Sequence, residues 1–163
     1  MASTTILLLN TSKPPALAGR TSVKTLRSFL PADTDMKISW PPRWQNPIVD
    51  EASFARGVPH IMEQVEKYKG SYDAIVVNHH SDGGIEAVRV MVDVPVVGIG
   101  EAQAWIAGYL VHKFSIVTFG DGHRRLDRKI VRNVGLLDRL VSIRVPNKEL
   151  AQVGTGVGFL GGV

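Results

Sequence analysis

An apolar segment that leads directly into a polar, glycine-ended loop constrains the fold of this chain more than any other feature. Residues 74–77 are apolar, and the loop that follows them spans residues 78–84. A strand without polar alternation is typical of a parallel sheet that is covered on both faces. In open sheets of this kind ligands bind at the carboxyl ends of the strands, so the loop is a candidate site.

The remainder of the chain repeats this alternation of apolar strands and helix-like segments. Repeated βα units with short connections favour an α/β fold with a parallel, doubly wound sheet. Asp82 is expected to cap or begin the third predicted helix. The predicted strands cover residues 5–9, 36–40, 74–78, 94–100, 114–118 and 140–145, and the predicted helices cover about residues 15–29, 51–69, 82–91, 101–110 and 121–133.

Composition excludes several kinds of chemistry. The 163 residues contain no cysteine, which excludes disulfides, thiolate metal sites and thiol catalysis. No apolar run approaches the roughly 20 residues that a membrane-spanning helix needs. The short apolar run near the start has no basic segment before it, unlike a signal peptide, so we expect a cytoplasmic protein without membrane contact.

The formal net charge of +4 is compatible with either nucleic acid or a small anionic substrate as the partner. The densest basic segment, residues 124–132, also contains Asp127, and Asp121 precedes it. Basic residues three and four apart share a helix face, and no aromatic side chains lie between them to stack on bases. We therefore interpret this segment as a helix surface in contact with water and predict no nucleic-acid partner.

Three polar loops follow strands one, three and five of the predicted sheet, at residues 10–12, 78–84 and 118–123. The carboxyl ends of parallel strands lie at one edge, so these loops should converge. Their hydroxyls, amides and backbone N–H groups suit carboxylates and other anions, although helix capping alone would also explain residues 10–12 and Asp82. The candidate substrate-binding residues are Asn10, Thr11, Ser12, Asn78, Ser81 and Thr118.

Two histidines fall in these loops. His79 follows the third strand, and His123 begins the helix after the fifth. A pair of imidazoles across a cleft can exchange protons near neutral pH. The alternative is that His79 only forms hydrogen bonds within its own loop. His60 and His112 are expected on helix surfaces.

The sequence indicates no metal or cofactor site. His79 and His80 are adjacent, and adjacent strand residues point to opposite faces, so the two side chains should diverge unless the loop twists them. The chain has neither cysteine nor a His-x-x-x-His pair to bind zinc. Gly98 and Gly100 lack the third glycine of a dinucleotide fingerprint, and no phosphate-loop lysine motif is present.

Four segments resemble the aspartate/glutamate/hydantoin racemase superfamily, and its hydantoin-racemase branch in particular. They are residues 6–12, 73–84, 95–102 and 113–118, of which 95–102 is the most specific. The resemblance implies that a small acid or cyclic amide binds between two pseudo-symmetric lobes. It also implies cofactor-independent transfer of a proton at the carbon next to a carbonyl, with one cysteine in each lobe.

The sequence departs from the pattern of that family at three points. His79 stands where the first cysteine is expected, and Phe119 stands where a second threonine is usual. The chain ends soon after the sixth strand, before the segment with the second cysteine, so two-cysteine racemisation is excluded if the chain is whole. The resemblance divides the sequence into a complete first lobe, residues 1–112, and a partial second lobe, residues 113–163, with a glycine-rich apolar tail.

Two functions remain open from the sequence. The first is a cofactor-independent isomerase that acts on a small carbonyl or carboxylate compound, by epimerisation, double-bond shift, cyclisation or dehydration. His79, with an ordinary pKa of about 6.5, would be its acid–base residue, and His123 or Asp82 would be the second proton carrier. The second function is a non-catalytic, truncated binding or interaction module.

Assembly is the last expectation from the sequence. An unpaired strand edge and uncovered apolar faces within residues 113–163 predict a homo-oligomer, most simply a homodimer. We expect the tail, residues 154–163, to pack against the rest of the protein, since a free apolar tail favours aggregation.

Overall fold

The structure is a computed structural model, and it describes residues 4–11, 24–43 and 48–146. Ser12, the first part of the predicted helix 15–29 and the apolar tail therefore lie outside the described residues. The strands are β1 (Thr4–Asn10), β2 (Thr34–Ser39), β3 (Ala74–Asn78), β4 (Val96–Gly98), β5 (Phe114–Val117) and β6 (Leu140–Arg144). The main helices are α1 (Glu51–Lys67), α2 (Ile85–Arg89), α3 (Ile99–Leu110) and α4 (Asp121–Asn133), and residues 24–28 are also helical.

Two parallel sheets organise these elements, which confirms the predicted α/β class. The first sheet has the strand order β2-β1-β3-β4, and β5 pairs with β6 in a second sheet. Leu7, Leu9, Ile75 and Val77 of the central strands are fully buried in the core of the first sheet. Apolar residues occupy successive positions of these strands because parallel strands covered on both faces have no polar side. The division into lobes at residue 112 stays a prediction.

The prediction that Asp82 caps or begins the third helix is wrong. Helix α2 begins only at Ile85, after Gly84 in its N-cap position, and Asp82 itself has a left-handed backbone with φ 49°. The Asp82 carboxylate instead accepts hydrogen bonds from the backbone N–H groups of Gly100, at 2.7 Å, and Glu101, at 2.6 Å. It therefore caps the first turn of α3, whose free N–H groups favour a negative charge.

Two glycines let the loop after β3 lie directly against the start of α3. A Cβ atom on Gly98 would lie 2.2 Å from Oδ1 of Asp82, and a Cβ atom on Gly100 would lie 2.2 Å from the backbone carbonyl oxygen of His80. Neither distance is possible for a side chain, so both positions require glycine for close approach. These glycines allow close contact between the loop after β3 and the start of α3. Their spacing follows from this contact, and it does not match a nucleotide fingerprint.

Two surface features bear on the predicted partners. Within the ranges that the structure describes, no helix is both long enough and apolar enough to cross a membrane. Val117 of β5 and Val141 of β6 are 74% and 64% exposed. Exposed apolar side chains on a sheet are compatible with the predicted homo-oligomer, which stays a prediction.

Candidate active site

The amides of Asn10 and Asn78 connect the carboxyl ends of the first three strands. The two residues are paired in the parallel register of β1 and β3, and Nδ2 of Asn78 donates to Oδ1 of Asn10 at 2.7 Å. Nδ2 of Asn10 in turn donates to the backbone carbonyl of Ser39 at 3.0 Å. Thr11 is also buried here. The edge predicted from the sequence therefore exists, and the Asn10 amide serves to hold it together.

Both ring nitrogens of His79, which follows β3, have hydrogen-bond partners. The backbone N–H of Ser81 donates to Nδ1 at 3.1 Å, and Nε2 lies 3.2 Å from the backbone carbonyl oxygen of Ile48. A nitrogen that accepts a hydrogen bond carries no proton, so Nε2 carries it and donates to Ile48. The ring is thereby fixed as the neutral Nε2–H tautomer.

The environment of His79 opposes its protonation. Burial, with a smaller contribution from the neighbouring His80, lowers the pKa of His79 to about 3. The ordinary pKa expected from the sequence is wrong, because removing the ring from water disfavours its charged form. At neutral pH the imidazole of His79 is therefore a hydrogen-bonding group of low basicity.

His80 is the residue that the sequence analysis did not select. Its ring centroid lies 4.9 Å from that of His79 and 4.6 Å from that of His123. The two rings do not diverge as they would in a regular strand, because β3 ends at Asn78 and both histidines lie in the loop beyond it. The three imidazoles form a cluster, and Phe119 contacts the His80 ring edge-on at 4.9 Å.

Asp127 completes this group from α4. The basic segment around it was interpreted as a surface in contact with water, but Asp127 is only 4% exposed. Its Oδ1 atom accepts a hydrogen bond from the hydroxyl of Ser81 at 3.3 Å and lies 3.8 Å from Nε2 of His80. Burial lowers the pKa of His80 to about 4, while the negative charge of Asp127 raises it. His80 is therefore also neutral at physiological pH.

His123 lies in the first turn of α4, as predicted, and is buried. Its Nε2 atom lies 3.2 Å from the carbonyl oxygen of Ile48, the same oxygen that contacts His79. A carbonyl oxygen has two lone pairs and can accept both hydrogen bonds. The Ile48 carbonyl thus fixes two imidazoles of the cluster at once.

A cavity of about 360 Å³ adjoins the cluster between α3, α4 and β5. Its polar wall contains His80, Thr118 and Asp127, and apolar side chains such as Phe114 and Ile116 line the remainder. Among the described residues, Thr118 Oγ1, Asp127 Oδ2 and His80 Nε2 are buried without a hydrogen-bond partner. Buried polar atoms without partners are rare in folded proteins, so this end of the cavity is chemically unusual.

Asp82 lies beside the cluster, but both of its carboxylate oxygens are occupied by α3. Burial raises the pKa of Asp82 to about 6, against the backbone N–H groups of Gly100 and Glu101, which lower it. Ser81 contributes through its backbone to His79 and through its hydroxyl to Asp127. In the part of the chain that the structure describes, no group of three or more potential ligands could hold a metal ion.

Open parallel α/β sheets bind small ligands at the carboxyl ends of their strands. The polar loops of this chain lie at that edge, which places it in this structural class. The family model described as Asp/Glu/Hydantoin racemase matches residues 21–155, and the chain belongs to this family.

Relatives and solved structures agree with this assignment. The chain is 35% identical over 107 residues to a hydantoin racemase of Paenarthrobacter aurescens, covering 63% of this chain and 45% of that protein. It is 32% identical over 88 residues to a hydantoin racemase of a Pseudomonas species (strain NS671), covering 53% of this chain and 35% of that protein. The match therefore spans less than half the length of these relatives.

The crystal structure of allantoin racemase from Pseudomonas fluorescens superposes with a TM-score of 0.78 at 26% identity, covering 86% of this chain and 60% of that one. Allantoin racemase from Klebsiella pneumoniae superposes with a TM-score of 0.80 at 23% identity, covering 96% of this chain and 65% of that one. The second likeness shows the fold, which is the doubly wound α/β fold predicted from the sequence.

Proposed function

We propose that this chain is a cofactor-independent isomerase that moves a proton at a carbon next to a carbonyl group of a small substrate. The observation that carries the proposal is the cluster of His79, His80 and His123 after β3, in which the His80 ring centroid lies 4.9 Å from that of His79 and 4.6 Å from that of His123. Imidazoles exchange protons with carbon acids without a metal or an organic cofactor. The family supports the isomerase class, and the cluster supports a nitrogen base in place of a thiolate.

The groups around the cluster suit a substrate with a carbonyl or carboxylate oxygen. Thr118 offers a hydroxyl without a partner among the described residues, and Asn10, Thr11, Asn78 and Ser81 surround the same edge of the sheet. Negative charge develops on the carbonyl oxygen as the proton leaves, and hydrogen-bond donors nearby stabilise it. Substrates of the hydantoin and allantoin type, which the relatives' names indicate, have this arrangement of atoms.

A binding module without catalysis is the second candidate function. The observation that favours it is the fixed state of His79, which has both ring nitrogens in hydrogen bonds and a pKa lowered to about 3 by burial. Because both ring nitrogens are already used in hydrogen bonds, a histidine in this state holds its loop in place.

Hydrogen–deuterium exchange separates the two functions. The purified full chain is incubated in D2O near neutral pH with 5-methylhydantoin, allantoin or aspartate, and loss of the signal of the proton next to the carbonyl is followed by proton NMR. We expect exchange faster than in buffer for at least one compound. A His112→Gln variant is the matched control, because His112 is exposed and outside the cluster.

The combined variant His79→Gln, His80→Gln, His123→Gln should lose the exchange by about 10²-fold or more, the usual loss when a general acid–base group is removed. Binding of a compound, seen as a thermal shift of the wild-type chain without any exchange, would contradict the isomerase and support the binding module.

A further inference from the structure

Resting on the function proposed above, we infer that His80 is the catalytic base of this site and that Asp127 is its positioning residue. The inference concerns two residues that are not at the family's cysteine position. It starts from the contact between Nε2 of His80 and Oδ1 of Asp127, which are 3.8 Å apart.

The contact places the imidazole of His80 beside the buried carboxylate of Asp127. Asp127 Oδ1 accepts from the Ser81 hydroxyl at 3.3 Å, while Oδ2 is buried without a partner among the described residues. A buried carboxylate oxygen without a partner is costly, so an N–H donor near it is favoured. His80 Nε2 lies 3.8 Å from the other oxygen of the same carboxylate. A movement of about 1 Å would bring the pair to the length of a charge-assisted hydrogen bond.

This arrangement fixes which nitrogen of His80 is basic. A carboxylate accepts hydrogen bonds, so Nε2 of His80 carries the proton and its Nδ1 atom keeps a free lone pair. The His80 side chain is 23% exposed and lines the 360 Å³ cavity, whereas the acceptor nitrogen of His79 is already used by the Ser81 N–H. Of these two histidines, only His80 combines a free lone pair with access to the cavity.

The proton transfer balances within the site. Nδ1 of His80 takes the proton from the substrate carbon, so that a C–H bond breaks and an N–H bond forms. The electron pair of the C–H bond forms a carbon–carbon double bond, and the π pair of the carbonyl moves to its oxygen, which gives an enolate. The imidazolium, stabilised by Asp127, then returns a proton to the carbon, and no other reactant is consumed. Inversion needs a proton from the opposite face of the enolate, but exchange with D2O needs only His80.

The charges around His80 set the pH range of this base. Asp127 faces it from α4, His123 faces it from the same helix, and His79 lies beside it in the loop. Burial lowers the pKa of His80 to about 4, Asp127 raises it, and a charge on His123 would lower it. His80 is therefore unprotonated from about pH 5 upward.

A measurement that requires no turnover tests the pair. Nitrogen-15 NMR of the histidine side chains in the full chain reports which ring nitrogen carries the proton, and the His80 signals are assigned by their absence in His80→Gln. We expect His80 as the Nε2–H tautomer, neutral down to about pH 4. In Asp127→Asn the pKa of His80 should fall further. A bare Nε2 in the wild-type protein, or no change in Asp127→Asn, would overturn the inference.

Exchange kinetics distinguish failure of this inference from failure of the proposed function. If the wild-type chain replaces the substrate proton with deuterium, the exchange rate of His80→Gln should be lower by about 10²-fold or more. The His112→Gln control should keep the full exchange rate. Asp127→Asn should lower the exchange rate by less than His80→Gln does. It should also shift the decline of the rate in acid to lower pH. Full activity in His80→Gln would refute the role of His80 and leave the isomerase standing. An inactive wild-type chain would refute the isomerase, and with it the catalytic role of His80.

Discussion

The capping of α3 by Asp82 makes a quantitative prediction about Gly98. A Cβ atom at position 98 would lie 2.2 Å from Oδ1 and 2.3 Å from Cγ of Asp82. The carboxylate cannot yield without leaving the N–H groups of Gly100 and Glu101, to which it is bound at 2.7 and 2.6 Å. Gly98→Ala should therefore cost the loss of the cap, about 0.5–2 kcal/mol, plus an overpacking cost of about 1–3 kcal/mol.

Asp82→Gly removes the same cap without a clash, because glycine adopts the left-handed backbone of position 82 without strain. Its expected cost is about 1–3 kcal/mol, from the lost cap and the lost charge at the helix start. In the double variant the new Cβ atom has room. The double variant should therefore cost little more than Asp82→Gly alone, so the coupling energy should approach the whole cost of Gly98→Ala, about 1.5–5 kcal/mol.

Urea unfolding followed by circular dichroism measures all four corners of this cycle. Gly120→Ala is the matched control, because Gly120 is also the N-cap of a helix and its Cβ atom would meet nothing closer than 3.9 Å. That control should cost about 1 kcal/mol or less. Additive costs for Gly98→Ala and Asp82→Gly, or equal costs for Gly98→Ala and Gly120→Ala, would refute the proposed cap.

Two further predictions concern pH and assembly. Burial lowers the pKa of His79 to about 3 and of His80 to about 4, so at these two residues the unfolded chain binds more protons than the native chain between pH 6.5 and about 4. The free energy of unfolding in urea should therefore fall as the pH falls through this window. The fall should be less steep in His79→Gln. Asp82 opposes the trend, since its pKa is raised to about 6. An equal slope in the wild-type chain and in His79→Gln would contradict the shift of His79. Light scattering should show a homodimer that Val141→Glu dissociates, because Val141 is exposed on β6; a folded wild-type monomer in dilute solution would contradict the assembly.

The sequence was sufficient for the parts of the fold that depend on local patterns. Continuous apolar runs predicted the strands because a doubly covered parallel strand has no polar face. Helix α4 was predicted with its observed limits, residues 121–133. The role of Asp82 could not be predicted, because its partners at Gly100 and Glu101 lie in another helix and are brought to it only by tertiary packing.

The site was predicted in part. The edge with Asn10, Asn78 and His79 follows from the rule for parallel sheets, whereas the pairing of His80 with Asp127 does not. Asp127 lies four residues after His123, which places the two on one helix face, and this spacing was the available signal. The surrounding arginines and lysine concealed it, because a charged segment is usually exposed to water.

The central claim is that a buried imidazole acts as the base of this site. The most direct test is the pH dependence of deuterium exchange at the carbon next to the carbonyl. For a compound that the wild-type chain exchanges, we predict a constant rate between about pH 5 and 8 and a decline near pH 4, set by His80. His80→Gln should lower the exchange rate by about 10²-fold or more. A decline centred near pH 6.5, or a chain that exchanges no compound above the buffer rate at any pH, would contradict this account.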